Sequence, residues 1–422
     1  MENYSIILFL LALLIGLSAI AEKKRLPSSI VLIVGGIIAG FVPSMPEITI
    51  DPEVVFLLFL PPLLYDAAFN ISFKDFRKNI STISSLAFGL VFLTTLGIAA
   101  VGHFLIPDMS WPVAFVLGAV LSATDAVAAI SITKGLGLSH KTLTILEGES
   151  LINDASALVA YRFAVAAVTG SVFVFWKAGL TFLLLLAGGA AIGLVVGRLL
   201  AGILRWLRNY DLLINSLLLL MPFVTYLMAE ELHVSGVIAV VVLGLSMSRL
   251  SREKFPEPLK RQTKNIWDII IFLLNGLIFI LIGLELPYVL KSINPQHILP
   301  NLLYAFVITV VALAIRMARV FLQQRQLERG FRSPKVRGRI SEEALLDFRS
   351  SLIISWAGMR GIVSLAIALG LPTHLQDGQP FPHRHTIIFI AVAVTLFTLL
   401  GQGLLLPWLV KRIQHQEPSK NH

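Results

Sequence analysis

The residues best equipped for chemistry sit together in one otherwise apolar stretch, Glu147-Gly-Glu-Ser-Leu-Ile-Asn-Asp-Ala-Ser-Ala157. On a helix, positions four apart share a face. Ser150 and Asp154 therefore stack on one face, and Glu149 and Asn153 stack on the adjacent one. A hydroxyl beside a carboxylate offers oxygen ligands to a small hard cation. Asn153 can donate hydrogen bonds or hold a water beside that pair without adding charge. In a segment that crosses a bilayer, an ionised side chain costs roughly several kcal/mol and is a functional candidate by default. That criterion singles out Asp66, Asp125, Glu149, Asp154 and Arg360, with Glu147 and Arg162 as borderline cases. Arg198, Arg316, Asp268 and Glu285 fall near the ends of apolar windows, where a side chain can reach the interface instead.

The elements that must hold these residues are membrane helices. The 422 residues are 56% apolar and 14% charged, with a mean hydropathy of +0.83. A soluble domain carries about a quarter charged residues, so the solvent that fits this chain is the bilayer. Apolar windows able to cross about 30 Å of hydrocarbon occupy residues 4–21, 26–42, 53–69, 80–106, 111–133, 142–169, 178–203, 211–229, 234–248, 266–287, 298–319, 350–371 and 386–410. The expected fold is an all-α polytopic membrane protein of about 13 helices. With the N-terminus outside, 27 of the 34 Lys and Arg residues fall in cytoplasmic segments and only Lys177, Lys291 and Arg384 in external ones. That asymmetry predicts an N-out, C-in topology.

Composition excludes several classes. There is no cysteine, hence no disulfide, thiolate metal site or cysteine nucleophile. The net charge of +9 does not point to nucleic acid, because the basic residues are spread between apolar segments. The first window precedes the charges Glu22, Lys23, Lys24 and Arg25, the reverse of a cleaved signal peptide, and reads as a retained helix. The longest loop, about 320–349, holds Arg325, Arg329, Arg332, Lys335, Arg337 and Arg339 and reads as an ordinary positive-inside loop, with contact to anionic headgroups as the alternative. One membrane domain over 1–412 and a short polar cytoplasmic tail over 413–422 are expected, without a large regulatory domain.

Two windows carry signs of a break. Span five holds Ser122-Ala-Thr-Asp-Ala126, whose Thr124 and Asp125 compete for backbone hydrogen bonds. Span twelve holds Ala357-Gly-Met-Arg-Gly361, two glycines around an arginine. A break inside a membrane is tolerated only against a cavity or buried protein. The breaks lie seven spans apart, an odd offset, so their helices run in opposite directions. Spans 1–6 and 8–13 then form inverted repeats with span seven as linker, an architecture in which broken helices cross at the midplane and bind an ion. Oppositely directed breaks leave helix-dipole ends facing each other, and Asp125 and Arg360 are placed to neutralise them. Arg360 is also the one deep basic residue predicted to meet Glu149 in a buried ion pair, which leaves Asp154 free to titrate.

At these residues the chain resembles the cation/proton antiporter family of NhaP-type proteins and sodium/proton exchangers. The stretches that carry the likeness are Leu60-Pro-Pro-Leu-Leu-Tyr-Asp66, Ser122-Ala-Thr-Asp125, Gly148-Glu-Ser-Leu-Ile-Asn-Asp154, Gly358-Met-Arg-Gly361 and Thr395 through Pro407, in that order. The resemblance implies that Asp154 binds ion and proton, with Ser150, the Thr124 backbone and Asp66 near the ion and Asn153 in support. It implies a Na⁺ site at Asp154, Ser150 and Thr124, a buried Glu149–Arg360 pair, and Asp125 as the acidic residue of the crossover. It further implies no cofactor beyond the transported Na⁺ and H⁺, a homodimer, and a plasma-membrane location (the inner membrane in a bacterium). Ala126 departs from the pattern, since many relatives have proline there.

The chemistry that follows is competition. A proton and a cation contend for one carboxylate, so a site alternately open to each side exchanges them. With Asn153 beside Asp154 rather than a second carboxylate, one-for-one, electroneutral exchange of Na⁺ or Li⁺ for H⁺ is expected. A potassium/proton antiporter would use the same parts. A cation channel would instead need a continuous charged or carbonyl-lined pore. An enzyme is not expected, because no HExxH, nucleophile elbow or phosphate loop occurs. His383-Arg-His385 reads as a solvated loop pair rather than a metal site.

Overall fold

A computed structural model of the chain describes residues 2–24, 26–42, 52–133, 136, 138–170, 175–332, 345–375 and 377–414. Among these residues the regular elements are helical, apart from one isolated bridge between His374 and Pro380. Eight described helices are long and apolar enough to cross a membrane. The other five predicted windows fall on helices at residues 28–40, 52–70 and 236–254 and on the two interrupted pairs 111–133 and 348–369.

The chain divides into two compact units. The first comprises Met1–Ile48, Lys78–Thr169 and Gly276–His422, and the second Thr49–Arg77 and Gly170–Asn275. In the first lie α1 (Glu2–Lys24), α2 (Ser28–Gly40), most of α4 (Phe73–Leu105), α5 (Trp111–Val120), α6 (Ala126–Thr133) and α7 (His140–Val168). The second holds α3 (Pro52–Asn70), α8 (Phe175–Trp206), α9 (Asp211–Glu231) and α10 (Gly236–Lys254). The chain of α11 (Glu257–Ser292) passes from the second unit into the first, which continues with α12 (Pro295–Arg332), α13 (Phe348–Trp356), α14 (Ile362–Leu369), α15 (Arg384–Leu396), a π-helical turn (Phe397–Gln402) and α16 (Gly403–Gln414).

Helix starts follow local chemistry. Ser139 accepts from Thr142 N–H to cap α7, Ser235 from Ile238 N–H to cap α10, and Asp347 from Ser350 N–H to cap α13. Pro112 occupies the first turn of α5, where its missing N–H costs nothing. Both expected breaks are present. Span five stops at Val120 and resumes at Ala126, and span twelve stops at Trp356 and resumes at Ile362. The first break forms with alanine at 126, where the helix resumes.

The basic region beyond 319 is not the loop it was expected to be at its start. Arg325, Arg329 and Arg332 continue α12, while Lys335, Arg337 and Arg339 lie outside the described residues. Most of the 413–422 tail lies outside them as well. Of the four charges assigned to span ends, Arg198 and Asp268 are exposed, as such positions require. Arg316 and Glu285 are not: they are 2% and 6% exposed. The reason for Arg316 is helix length. The apolar window closes at 319, but α12 runs on to Arg332, so residue 316 sits well inside it.

Candidate functional site

Within the first unit the two breaks meet backbone to backbone. The Asp125 N–H donates to Met359 O at 2.8 Å. Arg360 Nε donates to Leu121 O at 2.9 Å, and Ser364 Oγ to Ala123 O at 3.3 Å. Asp125 Oδ1 accepts from the N–H groups of Val127 at 2.8 Å and Ala128 at 3.2 Å, capping α6. Its negative charge thereby lies at the positive end of a half-helix. Arg360 serves ends of the opposite sign: Leu121 O follows α5, and Gly358 O, taken by Nη1 at 2.6 Å, follows α13. The junction has no room for larger residues. A Cβ on Gly361 would overlap the Asp125 side chain, and one on Gly358 would overlap Arg316.

Helix α7 is stitched to the first break through Thr124. Ser150 Oγ donates to Thr124 O at 3.0 Å and accepts from Ala126 N–H at 3.4 Å. Asn153 Nδ2 donates to Thr124 Oγ1 at 2.6 Å, while its Oδ1 accepts from Thr124 N–H at 3.4 Å. Thr124 Oγ1 in turn donates to Glu149 Oε1 at 3.4 Å. Ser150, Asn153 and Glu149 thus reach the first break through Thr124 and Ala126.

Asp154 stands apart. It is 7% exposed, and among the described residues it makes no hydrogen bond or ion pair.

The predicted Glu149–Arg360 ion pair is not formed. Glu149 pairs instead with Arg316, whose Nη1 and Nη2 donate to Oε1 at 2.5 Å and Oε2 at 2.9 Å, a bidentate fork. Arg316 Nε donates to Ile354 O at 3.0 Å, near the end of α13. Arg360, committed to carbonyl oxygens, has no fork to offer. Arg316, read from the sequence as a span-end residue, is the partner that the reading missed. Its signal was available in Val310-Val-Ala-Leu-Ala-Ile-Arg-Met-Ala-Arg-Val320, where apolar residues continue beyond the arginine. Thr398 was covered only within a longer matching stretch, yet its Oγ1 accepts from Arg360 N–H at 3.0 Å.

Two further candidates are placed differently. Asp66 belongs to the second unit, where its Oδ1 accepts from Asn70 Nδ2 at 2.9 Å. Arg162 is exposed on α7.

Residues 9–412 match the family model described as sodium/hydrogen exchanger, transmembrane. The chain is 34% identical over 427 residues to a sodium, potassium, lithium and rubidium/H(+) antiporter of Bacillus pumilus, covering 99% of this chain and 62% of that protein. It thus spans under two thirds of that relative's length. It is 32% identical over 424 residues to the Na(+)/H(+) antiporter NhaH of Halobacillus aidingensis, covering 96% of this chain and 97% of that one. Among solved structures, the sodium proton antiporter MjNhaP1 from Methanocaldococcus jannaschii shares the fold, with a TM-score of 0.73 at 21% identity over 98% of both chains. With the match running through both breaks and the carboxylates of α7, the chain belongs to the transmembrane sodium/hydrogen exchanger family.

Proposed function

We propose that this protein is a monovalent cation/proton antiporter that exchanges one Na⁺ or Li⁺ for one H⁺ at Asp154. The observation that supports this most is the contrast among three acids, Asp125 at the first break and Glu149 and Asp154 on α7. Glu149 is neutralised by Arg316 and Asp125 caps a half-helix, whereas Asp154 is buried with neither service to perform. Its charge is available to bind one proton or one cation, and Asn153 beside it adds hydrogen bonds but no second charge. The cation would take oxygens from Asp154, Ser150 and the Thr124 carbonyl. Glu149 with Arg316, and Asp125 with Arg360, would hold the frame while the site opens to either side. The wider reading goes with this: thirteen spans, N-out and C-in, inverted repeats around span seven, and a homodimer in the plasma membrane.

A second reading is exchange of K⁺ for H⁺. The printed name of the Bacillus pumilus relative, and of a Bacillus subtilis one, includes potassium and rubidium, which favours a site tolerant of larger ions.

The test uses purified protein in proteoliposomes under an imposed pH gradient, with Na⁺, Li⁺ and K⁺ added in turn. Na⁺ and Li⁺ are expected to collapse the gradient in wild type and not in Asp154→Asn. Exchange that survives in Asp154→Asn would overturn the site. Exchange that follows a clamped membrane potential would overturn the one-for-one stoichiometry.

A further inference from the structure

We propose that Thr398, on the π-helical turn of the last span, is a positioning residue for the ion site, acting through the backbone of the second helix break. The inference rests on the antiporter reading and deepens it. The non-helical stretch Ala357–Gly361 leaves backbone groups without helical partners, and a buried N–H with no acceptor is costly. The N–H of Arg360 finds its acceptor in Thr398 Oγ1, which itself donates to Thr395 O at 3.0 Å. The hydroxyl is thus used in both directions, and its residue is 2% exposed.

Thr398 sits on a π turn. A single π turn within an α-helix is rare and concentrates at functional sites. Here it spans Phe397–Gln402, between α15 and α16. Thr398 and Gln402 lie four residues apart on it. Both residues contact the second break, Thr398 through its hydroxyl and Gln402 through its backbone carbonyl, which accepts from Trp356 Nε1 at 3.2 Å, at the end of α13. The turn therefore grips the break on either side, at Trp356 and at Arg360.

From Arg360 the hydrogen bonds lead to the site. The same residue's Nε holds Leu121 O, and the neighbouring Met359 O holds the Asp125 N–H. Between those two points lies Thr124, whose carbonyl and hydroxyl receive Ser150 and Asn153. A shift of the Arg360 backbone is thereby passed to the carbonyl that the cation would use. No group in this relay other than the ion ligands touches the ion, so the role of Thr398 is to fix where the Thr124 carbonyl stands.

The experiment measures Na⁺-dependent exchange in proteoliposomes for wild type, Thr398→Val and Thr398→Ser. Valine keeps the shape and removes the acceptor, and serine restores it. The expected result is a rise of roughly tenfold in apparent KM for Na⁺ in Thr398→Val, the size of one hydrogen bond lost, with maximal rate per folded protein little changed and KM recovered in Thr398→Ser. A merely structural residue would lower the maximal rate and leave KM alone; that outcome, or wild-type kinetics, overturns the proposal while the antiporter reading stands. Absence of exchange in wild type overturns both. Should Thr398→Val not fold, Trp356→Phe removes the other grip of the same turn. It is expected to raise KM in the same direction, and an unchanged KM there counts against the proposal.

Discussion

Arg316 and Glu149, 167 residues apart in the chain, form a two-pronged ion pair whose members are 2% and 1% exposed at the side chain. The pair ties α12 to α7, and the third nitrogen of the guanidinium ties both to Ile354 O on α13. Three elements around the breaks are joined by one residue that the sequence places at the edge of an apolar window.

Removing one member should therefore cost far more than removing both. Arg316→Ala leaves Glu149 buried and uncompensated, and is expected to lower stability by about 3–5 kcal/mol. The double change Arg316→Met with Glu149→Met should recover most of that. Thermal unfolding in detergent checks the ordering. Equal destabilisation of single and double variants would show that the charges are not what matters.

Asp154→Asn should behave in the opposite way. No hydrogen bond or ion pair of this carboxylate is lost by the change, and burying an amide costs less than burying a charge. Unfolding is expected to shift by less than about 1 kcal/mol in either direction, although exchange disappears. A loss of several kcal/mol would make Asp154 a structural residue.

Competition for one carboxylate fixes the sign of the pH dependence. As pH falls, protons occupy the site and the apparent KM for Na⁺ must rise, by about tenfold per pH unit once protonation dominates. At higher pH it levels off. Initial rates of Na⁺ exchange across a pH series provide the check. A KM that stays flat while the maximal rate titrates would place proton and cation on different groups.

Gly361 tests the junction itself. A methyl group there would overlap the Asp125 side chain, which must stay in place to cap α6. Gly361→Ala is expected to cost about 1–3 kcal/mol from overpacking and to reduce transport by more than the stability loss explains. Wild-type transport from Gly361→Ala would mean that the approach of the breaks is not needed for function.

Much of this protein is legible in its sequence because the bilayer leaves few options. Backbone groups must be satisfied within helices, so apolar windows, broken by Thr124-Asp125 and Gly358–Gly361, translate directly into helices and interruptions. Helical spacing alone then orders α7, putting Ser150 with Asp154 and Glu149 with Asn153. The prominence of Asp154 comes from the same source: a carboxylate in an apolar segment is visible without coordinates.

Only the tertiary structure decided who meets whom. Spacing says which face a residue occupies and nothing about which helix lies opposite. Depth is hidden too when a helix outruns its apolar part, as α12 does by continuing to Arg332. That is why Arg316, and not Arg360, answers Glu149, and why Asp154 has no partner among the described residues by a different route than elimination suggested: one arginine serves the acid, and the other serves the carbonyls of the breaks. Thr398 belongs to the same class of fact, since its hydroxyl accepts from a backbone N–H 38 residues away, and no local pattern records where that N–H will be.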